Sequence, residues 1–185
     1  MSARGTGTCY VRTDHAGRNL LAANFGSGSV AVLPLQEDGS LRPASAFVQD
    51  TGSGPNPRQQ GPHAHSFNIS PDDRFAVEAE FGMDQLIVYH FDGATGTHTP
   101  ATPPSFATQP GAAPRHFAFH PDGKTAYCLD EIDSTLIVLG YDAATGAFRR
   151  RQTLSTLPEG FKGPNTAAEV VVTATQSMGM RVTQT

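Results

Sequence analysis

Three short stretches of this 185-residue chain combine side chains that can move protons and stabilise negative charge: His63-Ala64-His65, Arg115-His116 and Asp130-Glu131. A histidine, an arginine and a carboxylate meeting in one cleft can activate water as a general base and stabilise a developing oxyanion. His63 and His65 also have strand spacing, which puts both imidazoles on one face as zinc ligands can be. No third or fourth ligand stands at a supportive spacing, so the expectation is no metal and no other cofactor. Arg115 with Asp130 or Glu131 could equally be a structural ion pair. The choice depends on the elements that carry these residues.

Those elements repeat. His65-Ser66-Phe67-Asn68-Ile69-Ser70-Pro71-Asp72-Asp73-Arg74 aligns with Arg115-His116-Phe117-Ala118-Phe119-His120-Pro121-Asp122-Gly123-Lys124, fifty residues on. The match continues through Gln85 to Tyr89 against Thr135 to Leu139, and through Phe91 to Gly96 against Tyr141 to Gly146. An earlier copy spans Gly17 to Gly26, matching Asp73 to Gly82, and a further one opens at Asn165-Thr166-Ala167-Ala168-Glu169. The units run approximately over 7–56, 57–112 and 113–163, with the start of a fourth at 164–185. The fourth loses the pattern over Thr173 to Met180.

Each unit reads as short β-rich runs such as Phe75-Ala76-Val77 and Leu86-Ile87-Val88-Tyr89, bounded by turn residues, with no sustained helical period. Asp84, Asp92, Asp122, Asp133 and Asp142 recur at the turns and read as turn-capping residues. Four short strands per unit suit a β-propeller blade better than a β-sandwich, whose strands would not recur with the same turns at a fixed period. The expected fold is all-β: an incomplete arc of about three to four propeller blades. Such an arc exposes two apolar blade faces and an unpaired edge, which points to self-association.

The repeat also locates a site. If the first hairpin of a unit turns at Asp122-Gly123, residues equidistant from that bond pair across it, which sets Arg115 opposite Asp130 with Glu131 adjacent. The same construction sets His65 opposite Glu80 and Cys9 opposite Asn24. Polar pairs then occupy one end of every first hairpin, and successive blades bring those ends around one channel mouth. His120, beside its turn, reads as solvated, and Cys128 reads as a small buried hydrophobe.

Composition narrows the partners. Seventeen acidic against thirteen basic side chains give a net charge of −4, which excludes nucleic-acid binding through a basic face. Arg149-Arg150-Arg151, the sole cationic run, reads as a solvated strand end. The apolar runs are too short to span a bilayer, and Met1 to Gly5 carries no apolar leader region. Two cysteines without metal or redox spacing suit a cytoplasmic location. The 19 glycines and 14 prolines supply the many turns of a repeated hairpin fold.

The series Gly17-Arg18-Asn19-Leu20-Leu21-Ala22-Ala23-Asn24-Phe25-Gly26, Gly61-Pro62-His63-Ala64-His65-Ser66, Gly111-Ala112-Ala113-Pro114-Arg115-His116-Phe117, Asp130-Glu131-Ile132-Asp133 and Asn165-Thr166-Ala167-Ala168-Glu169 resembles the bacterial β-propeller 6-phosphogluconolactonase family, relatives of carboxy-cis,cis-muconate cyclase. The resemblance runs from about Gly7 to Val172 and implies part of a seven-bladed propeller. It also implies metal-free hydrolysis of 6-phosphogluconolactone in the pentose phosphate pathway, with a sugar lactone as the partner and neither nucleic acid nor membrane. His65, Arg115 and Glu131 occupy the family's catalytic positions, and either His65 or Glu131 would activate water. His63, His116, Asn165 and Glu169 would line the sugar-phosphate pocket. Asp130 stands where the family usually has Asn, and a basic residue from a later blade lies beyond this sequence. A non-catalytic propeller fragment that binds through its channel face is the alternative.

Overall fold

The computed structural model describes residues 1–173, which form twelve strands and no helix. They are β1 (Thr8–Thr13), β2 (Asn19–Asn24), β3 (Ser29–Pro34), β4 (Ala46–Gln49), β5 (Ala64–Ile69), β6 (Phe75–Glu80), β7 (Gln85–Asp92), β8 (Thr97–Ala107), β9 (Pro114–Phe119), β10 (Thr125–Asp130), β11 (Thr135–Tyr141) and β12 (Phe148–Ser155). Strands pair antiparallel in sequence order within three separate four-stranded sheets, β1–β4, β5–β8 and β9–β12. Each sheet is a blade, and the described residues form an arc of three. From residue 174 onward, the expected loss of the repeat pattern lies outside the described residues.

The turns close as their side chains dictate. Asp122 accepts hydrogen bonds from the Lys124 and Thr125 amides at 2.8 and 2.9 Å, while Gly123 takes the left-handed φ of +64° that a side chain would resist. Asp92 and Asp142 cap the Ala94 and Ala144 amides in the same way. Asp84 does something larger. Buried and left-handed at φ 57°, it accepts from the amides of Gly111 and Ala113 at 2.7 and 2.9 Å. It therefore ties the second blade to the entry of β9.

Strand alternation fills the spaces between blades. Phe75, Val77 and Ala79 of β6 pack with Phe117, Cys128, Ile137 and Leu139 of the third blade. Ala76, Phe67, Ile69 and Tyr89 pack with Leu21, Ala23, Val30 and Val32 of the first. Each large apolar side chain so enclosed contributes about 1.5–3 kcal/mol. This packing sets the inner strands β1, β5 and β9 side by side.

The two outer faces differ from the bare apolar surfaces that the repeat leads one to expect. On the first blade, Ala3, Leu41 and Ala44 pack against Ala22, Ala31 and Leu33. On the third, Ala167, Val170 and Val172 pack against Tyr127, Leu129 and Leu136. The physical reason is local: segments outside the strands carry apolar residues that cover part of each face. Arg149, Arg150 and Arg151 lie on the exposed strand β12.

Candidate active site

The hairpin construction holds at the centre of each hairpin and slips by one at its far end. Leu129 pairs with His116 as expected, but Asp130 then pairs with Pro114, leaving Arg115 as the extra residue of a β-bulge. Likewise Glu80 pairs with Ala64, leaving His65 unpaired. Asn24 pairs with Thr8, leaving Cys9 unpaired. A bulge bends the strand and re-aims the extra side chain. The same irregularity in three successive blades turns Cys9, His65 and Arg115 toward one cleft of about 420 Å³, lined also by Gly7, Phe25, Arg58, His116 and Glu131.

Two glycines let the His63–His65 segment approach. A Cβ at Gly82 would overlap the Gly61 carbonyl, and one at Gly28 would overlap the Pro62 carbonyl. His63 then stacks on Phe25, with ring centroids 4.5 Å apart, and its Nδ1 lies 2.9 Å from the Phe25 carbonyl. The His63 amide donates to Glu80 Oε1. His65 stands edge-on to His116 at 5.4 Å between centroids, with Nδ1 3.8 Å from Cys9 Sγ. Burial, reinforced by the positive charge of Arg115, lowers the His65 pKa to about 4. The imidazole is therefore neutral at pH 7.

Glu131 is the hub of the charge network. Its Oε2 accepts from Arg115 Nη1 at 2.5 Å, and its Oε1 accepts from Arg58 Nη2 at 2.6 Å. Burial alone would raise this carboxyl, but the Arg115 and Arg58 hydrogen bonds outweigh it and hold it below its ordinary value. Arg115 Nε also donates to the Ala168 carbonyl at 2.9 Å, so the guanidinium is fixed from two sides. Asp130, next in sequence to Glu131, faces the blade interior instead, where Thr135 and Cys128 contact its oxygens. Burial and the nearby Asp133 raise it to about 7, so it adds less negative charge beside Glu131 than its residue type suggests.

Of the four pocket residues selected from the sequence, His116 is in the cleft lining, whereas His63, Asn165 and Glu169 lie outside it. His116 lines the cleft, and its Nδ1 approaches Glu169 Oε1 to 2.8 Å. Despite its burial, the Glu169 carboxyl is held below its ordinary value by His116. Asn165 stands apart from the cleft lining: its Nδ2 donates to Ser134 Oγ at 2.5 Å. Arg58 was not singled out in the sequence, because it lies in the β4–β5 connection and its repeat position fifty residues on is the uncharged Thr108. Among the described residues, no group of three or more His, Cys, Asp or Glu is arranged to hold a metal ion. Nor is any helix long and apolar enough to cross a membrane.

Comparison with known proteins extends this picture. The model of the family described as "Lactonase, 7-bladed beta-propeller" matches residues 1–178. The chain is 38% identical over 173 residues to a 6-phosphogluconolactonase of Bacillus subtilis, covering 91% of this chain and 47% of that protein. It is 34% identical over 164 residues to a 6-phosphogluconolactonase of Pectobacterium carotovorum, covering 89% and 46%. Among solved structures, a periplasmic gluconolactonase of Pseudomonas aeruginosa superposes with a TM-score of 0.81 at 34% identity, covering 89% of this chain and 47% of that one. The chain thus spans about half the length of the curated relatives it matches. With three blades of this topology and a family match over nearly its whole length, the chain belongs to the seven-bladed β-propeller lactonase family.

Proposed function

We propose that this chain supplies catalytic residues for the hydrolysis of a sugar lactone, 6-phosphogluconolactone to 6-phosphogluconate. The observation that carries the reading is a neutral histidine beside an arginine aligned by a buried carboxylate, within one cleft. The names of the relatives support the substrate. In this mechanism His65 takes a proton from water as the water oxygen bonds to the lactone carbonyl carbon. Its Nδ1 is turned to Cys9, which leaves Nε2 for the water. Arg115 donates N–H groups to the carbonyl oxygen as it becomes an oxyanion. The ring C–O bond then breaks, and the protonated His65 returns its proton to the leaving alkoxide.

Glu131 serves as the positioning group. Both of its oxygens are engaged by guanidinium groups, which leaves neither free to take a proton from water. His63, His116 and Glu169 would contact the sugar, whereas Asn165 supports the loop through Ser134. No metal enters this chemistry. A cytoplasmic place in the pentose phosphate pathway and self-association through open blade edges belong to the same reading; cell fractionation and sedimentation test them.

The deciding experiment follows acid release from 6-phosphogluconolactone by the pure 185-residue chain, with and without chelator. Arg115→Ala should lose on the order of 10²–10³ in rate. Near-parental hydrolysis by Arg115→Ala removes that residue from the mechanism, and a chelator-sensitive activity restored by zinc revives a metal role for His63 and His65.

A further inference from the structure

Arg58 is built into the cleft by machinery of its own. Fifty residues on, its repeat position is the buried Thr108, so no blade-forming requirement selects an arginine here. The connection that carries Arg58 is anchored by Gln59, which is fully buried. Gln59 Nε2 donates to the Phe81 carbonyl at 2.6 Å and to Asp84 Oδ1 at 2.8 Å, while its Oε1 accepts from the Asn56 amide at 3.0 Å. Asn56 Oδ1 in turn accepts from the Arg58 amide at 3.0 Å. A buried amide with its donors and acceptor paired holds a loop in one place.

The guanidinium presented by that loop is half exposed. It lies 5.1 Å from the centre of the Phe81 ring and, among the described residues, gives one hydrogen bond, to Glu131 Oε1. Glu131 already has a charge partner in Arg115, so a second arginine exceeds what neutralising that carboxylate requires. Two guanidinium groups flank the single carboxylate of the cleft lining, beside an uncharged His65. The unspent N–H groups of Arg58 form a planar fork of the kind that matches phosphate or carboxylate oxygens.

We propose that Arg58 is a substrate-specificity residue that binds an exocyclic oxyanion, phosphate or carboxylate, at the solvent-facing end of the lactone. This rests on the lactonase reading above. In this arrangement Arg115 attends the reacting carbonyl while Arg58 selects among lactones by charge. Glu131 spaces the two guanidinium groups so that one ligand meets both.

The test compares the parent chain with Arg58→Ala and Arg58→Lys on three lactones: neutral glucono-1,5-lactone, 6-phosphogluconolactone and the carboxylate-bearing glucaro-1,4-lactone. The parent should prefer a charged lactone, and Arg58→Ala should shrink that preference in kcat/KM at least tenfold, chiefly through KM. Arg58→Lys should restore part of it, because the charge remains while the fork is lost. Loss confined to the phosphorylated lactone, or shared with the carboxylated one, identifies the oxyanion. Equal losses on charged and neutral lactones overturn the assignment and leave Arg58 a support for Glu131. If the parent hydrolyses none of the three, the lactonase reading fails by itself. Calorimetric titration with 6-phosphogluconate and with gluconate then decides Arg58: weaker 6-phosphogluconate binding by Arg58→Ala sustains the proposal, and unchanged binding refutes it.

Discussion

Replacing Glu131 by glutamine keeps the shape of the side chain and removes the charge that two arginines share. The structure sets the size of the effect. The Glu131 side chain is 5% exposed, Arg115 27% and Arg58 51%. A hydrogen bond to a charged group is worth about 1.5–3 kcal/mol, and the Arg115 contact lies well inside the cleft. The Arg58 contact is screened by water and contributes about 0–1 kcal/mol. Glutamine retains one acceptor oxygen, so the net loss of stability should be about 1–3 kcal/mol. For a domain of this size, that lowers Tm by roughly 3–10 °C. Catalysis should fall further, by on the order of 10²–10³, because the Arg115 fork loses its alignment at the oxyanion. Thermal unfolding and lactone hydrolysis on one preparation read both effects. A double-mutant cycle with Arg115→Ala should show coupling of about 1–3 kcal/mol. A Tm within about a degree of the parent, with unreduced hydrolysis and no coupling, would refute the reasoning that Glu131 organises the cleft.

Three further outcomes follow from other parts of the molecule. Burial raises Glu80 to about 7 from an ordinary 4.5 and holds Glu78 well above its ordinary value, so both ionise more readily in the unfolded chain. Stability should therefore decline as pH rises from about 4.5 toward 7 and beyond, and Glu78→Gln should flatten the decline in urea melts; an equally steep decline in that variant would exclude Glu78 as a source. Because His65 stays neutral down to about pH 4, the acid limb of kcat/KM should fall near that value, and a limb near pH 6.5 would show that the imidazole is not desolvated during turnover. Gly82→Ala forces a methyl group onto the Gly61 carbonyl and should destabilise by about 1–3 kcal/mol in denaturant melts; a neutral result would mean that the His63 segment can retreat at little cost.

The sequence determined the fold class because a blade is a local object. Its alternating strands and aspartate-bearing turns recur at offsets of fifty and fifty-six residues, and Asp122, Asp92 and Asp142 cap in the structure the turns that they mark in the sequence. It also brought Cys9, His65 and Arg115 to the same end of successive hairpins, since distance from a turn counts residues along one hairpin. What only the tertiary structure decided is where those side chains point. The bulges that leave all three unpaired add one residue at the strand end, and nothing in the residue types announces them. Arg58 stayed invisible for a different reason. It reaches Glu131 across seventy-three residues of chain, from a loop held by a buried glutamine. Its repeat position is the uncharged Thr108, so no recurring charge marks it and its place depends on how the blades pack. The same holds for the neutrality of His65 and the doubly engaged carboxylate of Glu131: burial and neighbouring charges set both, and they exist only once the blades have closed around the cleft.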